Sequence, residues 1–192
     1  NSSQSTSLTL TKEIVDINSV LHSEVIELDT ATVGYFVFQQ FLSTSIAELD
    51  EVFSTFLSAG VEEVVVDLRY NPGGQINVAE HLGSLLAGEF AVKRTFVNLN
   101  YNDKNSDRDL SYSFKEPANM LVPTPERIFF ITTGSSASAS ELVINSLKGL
   151  SGTQRTFDVY MVGDDTHGKP VGAIARPYND STLVPITFKY TN

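Results

Sequence analysis

The order of apolar segments along the chain restricts it to a small number of layered folds. The β-branched run Val64–Leu68 is typical of a central strand buried on both faces, and it leads through a turn at Asn71–Gly74 into a helical pattern. Further strands are predicted at 33–38, 91–99, 127–132 and 159–162, and further helices from Ser45 and over about 138–147. Because strands and helices alternate, we expect an α/β, or mixed α+β, fold with a largely parallel sheet flanked by helices.

Weaker patterns predict the remaining elements. Strand-like alternation occurs at 8–11 and 24–28, and the chain ends in a strand-like stretch from 186. Ser45 and Glu48 form a capping-box pattern at the start of the first helix, and Gly60 can end that helix. Residues 100–124 are mostly polar and are expected to form a mobile loop or lid.

The charge and composition of the chain exclude several classes of partner. With 13 basic and 23 acidic residues the formal net charge is −10, which argues against binding to nucleic acid or anionic lipid. The absence of cysteine excludes disulfides and thiolate chemistry, and it fits an oxidising compartment. No apolar stretch approaches the roughly 18 residues of a membrane span. No cofactor or metal is expected, because the adjacent Asp164 and Asp165 lack further ligand spacing.

The chain is predicted to contain one domain with a short lead-in. Residues 1–30 are interpreted as a polar, mobile leader with lead-in strands, and residues 31–192 as one folded core. The first residue is not methionine and the last residues resemble a strand, so we expect a mature form or a trimmed piece of a longer protein.

Three loops leave the ends of apolar strands, at 69–75, 133–138 and 163–169. If these strands are parallel neighbours, the loops meet in one crevice beyond the carboxyl ends of the strands, where ligands bind in such sheets. The helix that follows the second loop offers free backbone N–H donors and a partial positive charge, which suit an oxyanion. The sequence therefore predicts a site at this end of the sheet.

The second loop contains several serines, one of which is a potential nucleophile. Ser138 lies at the predicted first turn of the helix, whereas Ser136 belongs to the preceding turn or to the N-cap. Ser138 and Ser140 point about 200° apart on a helix and cannot face the same site. The alternative is that all three are caps and turn residues, as serines at helix starts commonly are.

The first and third loops supply possible partners for that serine. Lys169 can act as a base only when neutral, which costs roughly 4–5 kcal/mol at pH 7 unless its surroundings lower its pKa. His167 is an alternative base, and an ordinary surface lysine is the alternative for Lys169. The glycines at 73 and 74 allow a substrate to approach closely and can aim a backbone N–H at it. Asp67 and Arg69 are expected to pair and brace the first loop.

Three blocks taken together resemble the C-terminal processing, or tail-specific, peptidase family. They are Asp67–Gly74, Ser136–Glu141 and Val162–Lys169, and they occur in the order found in that family. The resemblance covers about residues 33 to 175 and implies a crotonase-like or ClpP-like layered core. It also implies an extracytoplasmic serine endopeptidase, periplasmic or in the cell envelope, that cleaves unstructured chains or C-terminal tails with a Ser–Lys dyad.

Carried over to this sequence, the resemblance implies Ser138 as nucleophile and Lys169 as base. The oxyanion donors would be the backbone N–H of Ala139 and that of Gly73 or Gly74. Two positions depart from the family pattern. The two dyad residues are 31 positions apart, which is longer than is typical, with 149–157 interpreted as an insertion, and Ala173 stands where many members carry a glutamine that orients the lysine. A PDZ domain, which most relatives have, needs about 100 residues and does not fit into the first 30.

Two other functions compete with a peptidase. A non-catalytic module on the same fold, binding peptides or small apolar ligands, is favoured by the missing glutamine. A crotonase-type acyl-thioester enzyme explains the oxyanion donors but leaves Ser138 and Lys169 without a role. Because both of these residues are present, we expect a serine endopeptidase with a protein or peptide substrate, and the sequence predicts no oligomeric state.

Overall fold

The computed structural model of the protein describes residues 7–13, 15, 17–150 and 157–191. The predictions for residues 1–6 of the leader and for most of the insertion at 149–157 lie outside the described residues. The helices are α1 (Ser45–Ala59), α2 (Ile76–Ala87) and α3 (Ala139–Gly149). The strands are β1 (Val20–Glu27), β2 (Thr32–Phe38), β3 (Glu63–Asp67), β4 (Thr95–Tyr101), β5 (Leu110–Ser113), β6 (Arg127–Thr132), β7 (Asp158–Gly163), β8 (Val171–Ala173), β9 (Arg176–Tyr178), β10 (Ser181–Leu183) and β11 (Ile186–Thr191).

A five-stranded sheet with the order β1-β2-β3-β6-β7 forms the centre of the fold. The strands β2, β3, β6 and β7 are parallel neighbours, and β1 runs antiparallel to β2. The predicted α/β class with a largely parallel sheet is therefore confirmed. In the central strand β3, Val64 and Val66 are fully buried on one face, whereas Val65 on the other face is only half-buried, so the predicted burial on both faces is incomplete.

Helix α1 covers the buried face of this sheet with aromatic side chains. Phe53 packs edge-on against Phe36 of β2, with ring centroids 5.8 Å apart. Gly34 makes room for the helix, because a Cβ at this position would lie 2.7 Å from the ring of Phe56. The helix ends at Gly60, as predicted, whose φ of 67° is left-handed. Helix α2 packs between α1 and α3, and α3 contacts β7 and β4.

The capping box predicted at the start of α1 is wrong. Ser45 is already helical, and its hydroxyl accepts the backbone N–H of Leu42 at 2.9 Å. The carboxylate of Glu48 accepts the backbone N–H groups of Ser19 and Val20, each at 2.8 Å. The backbone N–H groups at the start of β1 bind this carboxylate. Glu48 therefore joins β1 to α1 and does not cap its own helix.

A second, antiparallel sheet with the order β5-β4-β11-β8 lies beside α3 and was not predicted as a sheet. Its strand β11 confirms the strand expected from 186. The predicted loop at 100–124 contains β5, and Phe114 next to it packs edge-on against Phe96 at 5.1 Å. The segment expected to be a mobile loop or lid thus includes a strand, and its few apolar side chains complete the core behind β4.

Two strand predictions also need correction. The strand expected at 91–99 begins at Thr95, because Glu89–Ala91 form a 3₁₀ turn and Lys93 has a positive φ of 67°. Residues 8–11 form no strand and are exposed, since the described chain offers them no neighbour with which to pair. Within the described ranges, no helix is long and apolar enough to cross a membrane.

Candidate active site

The loops that follow β3, β6 and β7 meet at the carboxyl edge of the five-stranded sheet. The three strands are adjacent and parallel, so their ends lie side by side. Backbone hydrogen bonds join the loops: His167 N–H donates to Ser136 O at 3.0 Å, and Ala137 N–H donates to Asn71 O at 3.0 Å. The first loop is thereby connected to the second, and the second to the third.

Two of the three serines in the second loop hold the first loop in place. The Ser136 hydroxyl donates to Leu68 O at 2.6 Å, and the Ser140 hydroxyl donates to Asn71 O at 3.1 Å. Both serines are fully buried. Ser138 differs from them because it lines two cavities, of about 230 and 580 Å³. The arrangement distinguishes one cavity-facing serine from two that brace the loop.

Ser138 has an unusual backbone conformation at the start of α3. It is the N-cap residue, with φ 57° and ψ −111°, a region that costs a non-glycine residue about 1–3 kcal/mol. Its N–H donates to Glu141 Oε2 at 2.7 Å, and its C=O accepts the N–H of Leu142 at 2.8 Å. These bonds stabilise a sharp strand-to-helix turn that places Ser138 at the wall of the cavities.

The carboxylate of Glu141 joins the serine loop to the lysine loop. Besides the N–H of Ser138, it accepts the backbone N–H of Lys169 at 2.9 Å and that of Gly168. Burial by itself raises the pKa of Glu141, but the hydrogen bonds donated to the carboxylate outweigh burial and hold the pKa below its ordinary value. The ionised form of Glu141 therefore fixes the position of one loop relative to the other.

The glycine turn of the first loop packs directly against the serine. A Cβ at Gly73 would lie 2.7 Å from Ala139 N and 2.8 Å from Ser138 Cβ, so only glycine fits there at its φ of 95°. The N–H of Gly73 donates to Asn71 Oδ1 at 2.9 Å. Within the described residues, no hydrogen bond uses the N–H of Ala139 or that of Gly74. Gly74 lines the cavity of about 580 Å³, and Ala139 directly follows the serine that lines it.

Lys169 and Ser138 line the same two cavities. The backbone of Lys169 is held by Glu141, whereas its side chain is exposed at the mouth. The alternative base, His167, is exposed as well but lines neither of these cavities. The geometry therefore favours the lysine over the histidine as the partner of Ser138.

Asp67 and Arg69 form the expected pair at the end of β3. Arg69 Nε lies 2.9 Å from both carboxylate oxygens of the buried Asp67, and the hydroxyl of Tyr35 donates to Oδ2 at 3.0 Å. Burial raises the pKa of Asp67, but the bonds from Arg69 and Tyr35 lower it further than burial raises it. This pair lies behind the first loop and braces it, as predicted.

Two contributors to the site were not assigned from the sequence. The fully buried Asn71 accepts from the second loop through its C=O and donates to Phe38 O at 2.8 Å through its side chain. Glu141 is signalled by the spacing Ser138-x-x-Glu141, which is itself a capping-box pattern. That signal was present in the sequence but was interpreted only at Ser45. Among the described residues, no three or more His, Asp or Glu side chains group closely enough to hold a metal ion.

A serine at a strained strand-to-helix turn, beside free backbone N–H groups and a lysine, is typical of acyl-transfer enzymes with a serine nucleophile. The chain belongs to peptidase family S41, whose sequence profile matches residues 32–191. The resemblance to C-terminal processing peptidases that the three blocks indicate is thereby confirmed.

Individual relatives agree with this family. The carboxy-terminal processing protease CtpA of Bacillus subtilis (strain 168) is 24% identical over 161 residues, which are 84% of this chain and 31% of CtpA. A protein of Bacteroides fragilis NCTC 9343 described as an S41 protease superposes with a TM-score of 0.83 at 25% identity, covering 94% of this chain and 48% of that one. The photosystem II D1 C-terminal processing protease shares the fold, with a TM-score of 0.67 and 22% identity over 92% of this chain and 44% of its own. The chain spans about one third of the length of the curated relatives it matches.

Proposed function

We propose that this chain carries the catalytic site of a serine endopeptidase that cleaves unstructured chains or C-terminal tails. The observation that carries the proposal is the cavity shared by Ser138 and Lys169, whose two loops are joined through the carboxylate of Glu141. Membership of family S41 supports the same reaction class.

In the proposed reaction, Ser138 Oγ attacks the carbonyl carbon of a peptide bond while the neutral amine of Lys169 takes the hydroxyl proton. The lysine then gives this proton to the leaving amine, and an acyl-enzyme ester remains on Ser138. Water, deprotonated by the same lysine, hydrolyses the ester and restores both residues. The exposed position of Lys169 in the free protein suits a base that a bound peptide would cover and desolvate.

The oxyanion of the tetrahedral intermediate would be bound by backbone N–H groups. We assign one donor to Ala139, at the positive end of the α3 dipole. Of the two glycines, Gly74 is the better second donor, because the N–H of Gly73 is already used by Asn71 Oδ1. Gly73 contributes instead by letting the turn approach Ser138 closely.

Cleavage of an unfolded protein such as casein tests the dyad. We expect Ser138→Ala and Lys169→Ala to abolish cleavage while the circular dichroism spectrum stays unchanged. Ser135→Ala and Lys148→Ala are matched controls, because both side chains are exposed and neither lines the two cavities. Full activity of Ser138→Ala would contradict the proposal. A folded but inactive wild type that still binds the peptide would favour the alternative of a non-catalytic binding module.

The pH dependence tests the identity of the base. We expect the cleavage rate to rise with pH between about pH 5 and about pH 9, because the base must be unprotonated to take the serine proton. A flat profile over this range would contradict a lysine base.

We further propose an extracytoplasmic location, which the family resemblance implies and the absence of cysteine fits. Fractionation of the source cells, with immunodetection of the protein, tests the location. Recovery in the cytosolic fraction alone would contradict it.

A further inference from the structure

A tyrosine that is remote from Ser138 in the sequence reaches the same cavity. Tyr190 lies near the end of β11 and lines both cavities together with Ser138 and Lys169. Tyr190 is therefore a polar side chain that shares these cavities with Ser138. The second sheet, which the sequence did not predict, contributes this group to the wall of the site.

The position of Tyr190 is fixed by the backbone that carries the lysine. Tyr190 N–H donates to Pro170 O at 3.0 Å, directly after Lys169. On the neighbouring strand pair, Lys189 is aligned with Val171 of β8. Backbone pairing therefore joins the strand that carries the phenol to the segment that directly follows the lysine.

Gly172 lies opposite the phenol of Tyr190 and leaves room for its hydroxyl. A Cβ at Gly172 would lie 2.9 Å from Tyr190 Oη and 2.1 Å from the ring of Phe188. Phe188 in turn packs edge-on against the Tyr190 ring, with centroids 5.5 Å apart. Nearby, Ala173, at the position where the family resemblance implies an orienting glutamine, has no polar side-chain atom. The phenol is thus packed in one orientation, and it supplies a side-chain polar group on the side of the cavity formed by β8 and β11.

The protonation state of the phenol suits a hydrogen-bond donor. Burial raises the pKa of Tyr190, and the nearby Ser138 hydroxyl offsets this rise only in part. Since the ordinary pKa is about 10, the phenol keeps its proton at neutral pH. A neutral phenol can donate one hydrogen bond to an oxygen on which negative charge develops.

We propose that Tyr190 is a third catalytic residue of the site, whose hydroxyl donates a hydrogen bond to Ser138 Oγ and holds it between the glycine turn and Lys169. The inference rests on the proposed peptidase function. During attack, the O–H bond of Ser138 breaks, its proton moves to Lys169 Nζ, and the Oγ–carbon bond forms. Tyr190 keeps its own proton throughout and stabilises the partial negative charge on Oγ.

Steady-state kinetics of Tyr190→Phe in the full-length protein test this role. The substitution removes the hydroxyl but keeps the ring that packs on Phe188. Because a hydrogen bond to a charged group contributes about 1.5–3 kcal/mol, we expect kcat for a casein-derived peptide to fall about 10–100-fold. The KM should change less than about twofold, since the bond strengthens only in the transition state.

Tyr101→Phe is the matched control. Tyr101 lies on β4 in the same sheet, its ring contacts Phe188 at 5.5 Å, and it lines neither cavity. We expect this variant to keep wild-type kcat, and all variants are assayed well below their thermal midpoints. An unchanged kcat for Tyr190→Phe, or an equal loss for Tyr101→Phe, would overturn the role of Tyr190.

Ser138→Ala separates failure of this inference from failure of the proposed function. If Ser138→Ala is inactive while Tyr190→Phe equals the wild type, the peptidase stands and the role of Tyr190 is refuted. If Ser138→Ala cleaves the peptide at the wild-type rate, the proposed function itself is refuted. A rise in KM alone for Tyr190→Phe would assign Tyr190 to substrate binding and refute its action on Ser138 Oγ.

Discussion

Replacing Glu141 by glutamine should weaken both the stability of the protein and its activity. The carboxylate accepts three backbone N–H groups, from Ser138 and Lys169 through Oε2 and from Gly168 through Oε1. A glutamine side chain has one oxygen, so its NH₂ group must face at least one of these donors. One hydrogen bond is then lost outright, and the others change from charged to neutral bonds.

The expected loss of stability follows from the number of hydrogen bonds that the substitution removes or weakens. A hydrogen bond to a charged group contributes about 1.5–3 kcal/mol and a neutral one about 1 kcal/mol. For Glu141→Gln we therefore expect the free energy of unfolding to fall by about 2–4 kcal/mol, which for a domain of this size lowers the thermal midpoint by roughly 5–15 °C. The rate should fall at least about tenfold even where the variant is folded, because the serine and the lysine are no longer held together.

Urea unfolding followed by circular dichroism, with casein cleavage measured on the same samples, tests both effects. Glu48→Gln is the control, since Glu48 also accepts two backbone N–H groups but joins β1 to α1 away from the cavities. The Glu48→Gln variant should have a lower free energy of unfolding and cleave casein at the wild-type rate. If Glu141→Gln unfolds at the wild-type urea concentration and cleaves casein at the wild-type rate, the hydrogen bonds assigned to Glu141 do not connect the two loops.

Three further outcomes are expected. Gly73→Ala should lose activity and at least about 2 kcal/mol of stability because its Cβ meets the serine turn, whereas Gly134→Ala, with open space around it, should resemble the wild type in urea unfolding. Ser136→Ala removes the hydroxyl that donates to Leu68 O and accepts the N–H of Thr133, and it should lower the free energy of unfolding by about 1–3 kcal/mol in the same assay. Because the pKa of Glu141 is lowered by folding, its contribution is present above about pH 4.3 and lost as the pH falls below that value. The difference in free energy of unfolding between the wild type and Glu141→Gln should therefore shrink at pH 3 and below. A difference that stays constant with pH would contradict the stabilising role of the ionised carboxylate.

The sequence predicts the part of the fold that depends on local patterns. The parallel core follows from alternating apolar strands and amphipathic helices, and the convergence of its three loops follows from the parallel arrangement of the strands. Residues such as Ser138 and Lys169 could be named because they lie in these loops. Their roles remain predictions until the variants are measured.

The features that the sequence did not predict depend on contacts between remote segments. Tyr190 reaches Ser138 only because β11 inserts between β4 and β8, a pairing that no local pattern encodes. The carboxylate of Glu48 fits a capping box by spacing alone, yet it accepts the backbone N–H groups of Ser19 and Val20 at the start of β1 instead. The second sheet was missed for a related reason, since β5 lies within a polar stretch and forms a strand by pairing with β4.

The order of the strands makes the two halves of the proposed dyad unequal in local stability. Within the described residues, β7 has β6 as its one strand neighbour, whereas β6 lies between β3 and β7. The serine follows an inner strand and the lysine follows this outermost one. Fraying of β7 would separate nucleophile from base while the rest of the sheet stays folded, giving a chain that is compact but inactive. Amide hydrogen exchange at β7 would then report on the fraction of molecules able to cleave a substrate, independently of global unfolding.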